Sequence, residues 1–310
     1  MFMPQLILAR AVHIGASILI AGIFTFDFLM LGLTGQSESG DLREIERSLF
    51  RLAFWSLIVA LLSALLWFWL EVASMSGLPL TNTFSASAWG TVLFQTQFGR
   101  VWQFRLGLIA AAFGLVASAL AQLKVRRALI VVLWLVSVVL LFSLAWISHA
   151  AAAGVHPLGL LGDMLHLCAA GGWIGGLVPL TIFLLRVRAS LSSVETFARV
   201  LHRFSTLSLY CVSVLVVSGI SNSWLLVGSI HALFTTPYGR LLLFKLALFA
   251  ILIGFGARNR FLVKAKLPKA AADPDLLAQF RRNAVWEACL GVAVVVIVGC
   301  LGVTPPARQS

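Results

Sequence analysis

Eight stretches of this 310-residue chain are each apolar over a length that can cross a bilayer as a helix. They run roughly over Pro4–Leu33, Leu52–Met75, Val101–Leu123, Leu129–Ser148, Leu158–Leu185, Phe204–Val227, Leu241–Val263 and Ala284–Val303. Inside hydrocarbon each segment must satisfy its own backbone N–H and C=O groups, and a run of this length does so only as a helix. Only 11% of the residues are charged, against about 25% in soluble domains. The expected fold is therefore all-α: a polytopic membrane protein of eight transmembrane helices. The first run lacks a basic n-region and is longer than the h-region of a cleavable signal peptide, so it reads as a span.

The net charge of +12 invites a nucleic-acid reading, but the distribution of that charge points elsewhere. Arg43, Arg47 and Arg51 lie in or beside the loop between spans 1 and 2, and Lys124, Arg126 and Arg127 between spans 3 and 4. Arg186, Arg188, Arg199 and Arg203 lie between spans 5 and 6. Arg258, Arg260, Lys264, Lys266, Lys269, Arg281 and Arg282 lie between spans 7 and 8. These are 17 of the 23 basic residues, all in alternate connections, as expected of cytoplasmic loops. The excess is an orientation signal. It predicts a multi-pass membrane protein with both termini on the outer side, lipid around it and no nucleic-acid partner.

The two halves echo each other. Leu93-Phe94-Gln95-Thr96-Gln97-Phe98-Gly99-Arg100 precedes span 3, and Leu233-Phe234-Thr235-Thr236-Pro237-Tyr238-Gly239-Arg240 precedes span 7. Phe104-Arg105-Leu106 matches Phe244-Lys245-Leu246 at the same offset. Arg10-x-x-His13 has Gly22 nine residues past its histidine, and Asp163-x-x-His166 has Gly175 nine residues past its own. The expected organisation is two parallel-related four-helix halves: residues 1–125 and 126–150 carrying spans 1–4, and residues 151–310 carrying spans 5–8. Equivalent helices would be related about an axis along the membrane normal. If spans 1 and 5 line that axis, His13 and His166 face one another roughly 12–14 Å below the outer helix ends.

Nine of the eleven histidines and methionines fall on the outer side of this topology: Met1, Met3, His13, Met75, His149, His156, Met164, His166 and His231. Met30 and His202 lie on the other side. Imidazole nitrogen and thioether sulfur suit a soft metal such as copper. His13 and His166 are the expected core ligands, with hydrogen-bonded packing between helices as the alternative. Asp163, one helical turn from His166, is placed to orient its imidazole. Met164, Met75, His149 and His156 are candidate capture ligands, although the two loop histidines equally suit a solvent-facing role. Arg10, Glu71, Arg105, Asn222 and Lys245 are ionisable or polar residues at membrane depth. Such residues line an ion pathway or pair to tie helices together. On the other side, Asp27, His202, Arg203, Asn259 and Glu287 are thinly spread and read as structural, with an exit route as the alternative.

Cys168, Cys211, Cys289 and Cys300 all fall inside spans without CxxC spacing, and read as small buried residues, with metal ligation by Cys168 as the alternative. No phosphate-binding loop, HExxH or GxSxG motif is present, so the chain reads as non-enzymatic and not ATP-driven. Residues 76–99 read as a long outer segment suited to a lid or partner surface. Residues 264–283 read as a cytoplasmic linker with an interfacial helix.

One ordered set of motifs resembles a known family. His166-x-x-Ala169-x-x-x-Trp173-x-Gly175-Gly176-Leu177, His202-Arg203-Phe204-Ser205, Gly219, Thr236-Pro237-Tyr238-Gly239-Arg240 and Asn259-Arg260 are similar to the CopD family of bacterial copper-resistance membrane proteins. Arg10-x-x-His13 and Gly99-Arg100 extend the resemblance toward the amino terminus. The resemblance implies an eight-helix inner-membrane protein that moves copper, with a periplasmic CopC-like copper-binding partner. Copper ion is then the expected cargo. The alternatives are a haem b electron-transfer protein using His13 and His166 as axial ligands, and a non-transporting scaffold for a copper chaperone.

Overall fold

A computed structural model of the chain describes residues 3–31, 40–77, 79–83, 86–121, 127–148, 157–186, 191–270 and 274–308. Among them there is no strand, and eight helices are long and apolar enough to cross a membrane. The protein is a multi-pass membrane protein. Span 1 is Met3–Phe26, closed by a π-helical turn at Asp27–Leu31. Spans 2, 3 and 4 lie in helices Gly40–Ser76, Gln97–Ala121 and Arg127–Ala145. Span 5 begins as Pro157–Ala170, loosens into a π turn at Gly171–Gly175 and resumes as Gly176–Arg186. Spans 6, 7 and 8 lie in Leu191–Val227, Pro237–Ala270 and Pro274–Leu301. Eight crossings leave Met3 and Leu301 on one side, called the terminal side below.

Spans 2, 6, 7 and 8 run past their apolar stretches, always on the side opposite the termini. Hydropathy measures the thickness of the hydrocarbon, not the length of the helix, and these helices continue into the basic loops. In spans 2, 6 and 8 the extension keeps one apolar face on the core, as with Ile45, Leu49, Phe197, Val200, Leu276 and Phe280, all buried. The other face carries exposed ion pairs, Arg186 with Glu44 at 3.4 Å and Arg199 with Glu195 at 2.7 Å, the latter one turn apart. The segment expected to hold a separate interfacial helix is instead mostly a continuation of spans 7 and 8, which run to Ala270 and start at Pro274. On the terminal side, residues 76–99 contain a 3-10 turn at Leu80–Asn82 and a short helix at Ala86–Gln95 that folds against span 3.

Spans 1 and 5 form the centre. Within the most apolar window of each span, 78% of span 1 and 67% of span 5 is buried, against 11% of span 7. Span 1 packs on spans 2, 4, 5 and 8. Spans 1 and 5 cross where Gly22 meets Gly175: a Cβ on Gly22 would collide with the backbone carbonyl of Gly175, and one on Gly175 with the carbonyl of Ile18. The small residues allow the close backbone approach that helix packing in lipid relies on. The crossing thus lies nine residues beyond each of the two central histidines.

The entrances to spans 3 and 7 are built alike. Thr96 Oγ1 accepts the backbone N–H of Gly99 at 2.9 Å, and Thr236 Oγ1 that of Gly239 at 3.0 Å. Each threonine caps its helix. Each glycine lies so close to carbonyls of the preceding short helix, those of Val92 and Leu93 or of Ala232 and Leu233, that a side chain there would clash.

Candidate functional site

His13 is sealed in the first group of four spans, with 0% of its surface exposed. Its Nδ1 lies 3.0 Å from the carbonyl oxygen of Ala60 and 3.2 Å from Ser63 Oγ on span 2. Its Nε2 lies 2.6 Å from Arg105 Nη2 on span 3. A carbonyl only accepts and a guanidinium only donates, so Nδ1 carries the hydrogen and the Nε2 lone pair is taken by Arg105. Arg105, 1% exposed, also donates through Nη1 to the carbonyl of Leu140 at 2.6 Å and to Ser143 Oγ at 2.5 Å, both on span 4. Trp67 and Trp102 close the cage around the imidazole, with ring centroids 5.7 and 5.4 Å from it. No carboxylate forms a salt bridge with Arg105 among the described residues.

His166 has corresponding partners in the second group but a different exposure. Its Nδ1 lies 2.9 Å from Ser218 Oγ on span 6. Ser218 gives its own hydrogen to the carbonyl of Val214 at 2.6 Å, as Ser63 gives its to Val59 at 2.6 Å. Nδ1 of His166 is therefore the donor, and its Nε2 keeps a lone pair without a hydrogen-bond partner among the described residues. The ring is only half-buried. One turn nearer the terminal side, Asp163 accepts from Ser148 Oγ at 2.6 Å and from Asn222 Nδ2 at 2.5 Å. Lys245, at the position matching Arg105, lies within electrostatic range of both Asp163 and His166. Here the cation has a carboxylate to balance it.

The two histidines thus do not meet as ligands of one site. Each is held within its own group of spans, and their hydrogen-bond partners have no residue in common. The reason is rotational: the crossing at Gly22 and Gly175 faces the partner helix, while the imidazoles turn toward spans 2 and 3 or span 6. A haem bridging them is disfavoured on the same ground, since axial ligation needs a free nitrogen on both rings and His13 has none.

Of the remaining candidates, Arg10 stacks over the Trp67 ring at 4.7 Å and lies in the field of Glu71, tying spans 1 and 2 together on the terminal side of His13. Met75 stands 52% exposed at the end of span 2, and Met164 is half-buried beside Asp163. His149 and His156 lie outside the described residues. Among those described, no three His, Cys, Asp or Glu side chains converge as a metal cage. Sequence reading missed Ser63 and Ser218, which stand 50 and 52 residues after the two histidines and so share no exact spacing that would have marked them. It also missed the tryptophan cage of Trp67 and Trp102.

On the opposite side, spans 5 to 8 enclose a cavity of about 160 Å³. Trp173, Leu177, Val212 and Ile253 contribute apolar walls, with Asn259 and Glu287 among the polar lining. Asn283 donates to Asn259 Oδ1 at 2.6 Å, and Asn259 in turn donates to Glu287 Oε1. Asp27, 1% exposed, opens the π turn of span 1, and neither of its carboxylate oxygens has a hydrogen-bond partner among the described residues.

Two family models match the chain. Residues 1–159 match the family described as Copper resistance protein D-like, N-terminal domain, and residues 198–301 match Copper resistance protein D. The chain is 30% identical over 224 residues to Copper resistance protein D of Pseudomonas syringae pv. tomato, covering 70% of this chain and 71% of that one. It is 29% identical over 265 residues to Inner membrane protein YebZ of Escherichia coli (strain K12), covering 82% of each. It is also 29% identical over 242 residues to Copper transport protein CutJ of Bacillus subtilis (strain 168), covering 73% of this chain but 42% of that longer protein. No solved structure matches the chain.

Proposed function

The chain belongs to the copper resistance protein D family, and on that premise we propose that it carries copper across the bacterial inner membrane, taking it up on the periplasmic side at His166. Membership of the family ties its function to copper. The basic loops all lie opposite the termini, which supports a periplasmic terminal side. The reading rests on one observation above all: His166 presents an unoccupied Nε2 lone pair on a half-buried ring, beside a carboxylate that balances the nearby lysine. That ring can accept a metal ion without breaking an existing bond.

His13 is the counterpart that cannot. A cation at its Nε2 would have to displace Arg105. Even at about 4 Å from the guanidinium it would meet roughly 4 kcal/mol of repulsion at an effective dielectric of ~20. Under this proposal His13 and Arg105 hold the first group together, while His166, Asp163 and Asn222 form the capture site. Met164, adjacent to Asp163, and the loop histidines His149 and His156 supply further donors. A separate CopC-like periplasmic protein delivers the ion, and the protein acts as a non-enzymatic conduit.

The test is copper accumulation by cells producing the His166→Ala protein, with membrane abundance measured alongside. Accumulation falls to the level of cells lacking the protein if the proposal holds. Normal accumulation at normal abundance refutes it.

A further inference from the structure

Spans 5 and 6 meet in a regular antiparallel register. Moving away from the terminal side, Asp163 bonds Asn222, His166 bonds Ser218, Gly172 abuts Cys211 and Gly176 abuts Phe204. A Cβ on Gly172 would stand 3.2 Å from Cys211 Sγ, so the missing side chain is what leaves room for the thiol in the seam. Cys168 precedes Gly172 by one helical turn on the same span, and the two thiols lie within electrostatic range of each other. Both are free: Cys211 is buried and Cys168 is half-buried. Trp173 and Val212, the sequence neighbours of Gly172 and Cys211, line the cavity that reaches Glu287.

We propose that Cys168 and Cys211 form a Cu(I)-binding thiol pair midway along this seam, between the His166 cluster and the Glu287 cavity. The inference rests on the transport reading above and adds to it the oxidation state and the middle step. Thiolate sulfur selects Cu(I) over the harder divalent ions. Each thiol is too apolar in its setting to satisfy a hydrated ion, but two soft sulfurs suffice for a monovalent copper that prefers few ligands. Charge balance fixes the proton count. One Cu(I) ion and two thiols give a neutral unit of Cu(I), one thiolate and one thiol, with one proton released to solvent. Loss of the second proton would leave a net anion in hydrocarbon, which is costly. No oxidant or reductant is consumed.

The experiment uses the full chain, purified in detergent and titrated anaerobically with Cu(I) against bicinchoninate, a chromophoric competitor. The unmodified protein is expected to hold one thiol-bound Cu(I), marked by an ultraviolet sulfur-to-copper charge-transfer band, with one proton released for that ion. Cys168→Ser/Cys211→Ser should lose the band and weaken binding by more than about tenfold, the lower end of what loss of even a supporting group costs a metal site. Cys289→Ser/Cys300→Ser should behave as unmodified. Retention of band and affinity in the Cys168/Cys211 variant, or their loss in the Cys289/Cys300 variant, overturns the pair.

Should the double serine variant not fold, maleimide labelling of the unmodified protein decides the matter. Cu(I) must slow modification of Cys168 and Cys211 selectively, and equal labelling with and without Cu(I) overturns the site. His166→Ala separates the two proposals. It should abolish accumulation in cells yet keep the charge-transfer band in the purified protein. Normal accumulation in that variant refutes the capture site, while the band alone judges the thiols.

Discussion

Arg105 donates to His13 Nε2 across 2.6 Å, and both residues are all but inaccessible, at 1% and 0% exposure. That bond consumes the one lone pair with which the imidazole could have bound a metal. A buried guanidinium is tolerated here because four neutral acceptors surround it: the carbonyl of Leu140, Ser143 Oγ, His13 Nε2 and, at 3.3 Å, Ser17 Oγ. The network joins spans 1, 3 and 4, and His13 adds span 2 through Ala60. Its role is cohesion among helices, which in lipid have little hydrophobic drive to associate.

A double-mutant cycle follows from this. His13→Ala and Arg105→Met should each lower unfolding stability in detergent by about 1–3 kcal/mol, because each leaves buried polar groups without partners. The double variant should lose less than the sum, with a coupling of about 0.5–3 kcal/mol. Strictly additive losses in thermal or denaturant unfolding show that the bond does not carry the interaction. Copper accumulation, normalised to the folded protein present, should remain.

The second group predicts an electrostatic response of opposite sign at two positions. Lys245 opposes a cation at His166, and Asp163 offsets Lys245. Lys245→Met should therefore tighten copper binding at His166, and Asp163→Asn should loosen it, each by about tenfold for a little over 1 kcal/mol of interaction. Competition titrations of the purified variants read both. Shifts in the same direction for the two substitutions remove copper from this cluster.

Much of this was legible in the sequence, and the rest was hidden for definite reasons. Eight spans follow from run length because lipid forces every backbone group into a helix. The matched spacing of His13 with Gly22 and of His166 with Gly175 marks the helix crossing, since close approach in lipid needs small residues. The same comparison pairs Arg105 with Lys245. What hydropathy cannot register is rotation about the helix axis. It places His13 and His166 at similar depth but does not say that each turns into its own group of spans. Nor does it reveal that Arg105 forms no salt bridge with a carboxylate among the described residues, while Lys245 lies in the field of Asp163. The helical extensions at Gly40–Phe50 and Leu191–Arg203 were missed because their amphipathic faces interrupt the apolar run without ending the helix.

The two threonine caps give a local prediction. Thr96→Ala and Thr236→Ala each remove a side-chain acceptor from the first turn of a spanning helix, a loss of about 1 kcal/mol. The effect should concentrate at the junctions with the short helices Ala86–Gln95 and Ile230–Thr235. Hydrogen exchange should quicken for the backbone amides of Gly99 or Gly239 and their neighbours, and remain unchanged at the Gly22–Gly175 crossing. Uniform acceleration along the chain contradicts a local cap.

The crossing itself supplies the sharpest contrast between glycines. At Gly22 and Gly175 a methyl group would enter the backbone of the opposing helix, which cannot rotate aside as a side chain can. Gly22→Ala and Gly175→Ala should each destabilise by about 1–3 kcal/mol through overpacking. Spans 1 and 5 would be pushed apart, shifting His13 and His166 together with their helices. At Gly107 on span 3 nothing lies within 4 Å of the added carbon. There the better helix propensity of alanine is unopposed and should leave stability unchanged or raise it by up to about 1 kcal/mol. Unfolding temperatures of the three single variants in one detergent decide the point. Equal behaviour of Gly22→Ala and Gly107→Ala shows that spans 1 and 5 do not cross at these glycines.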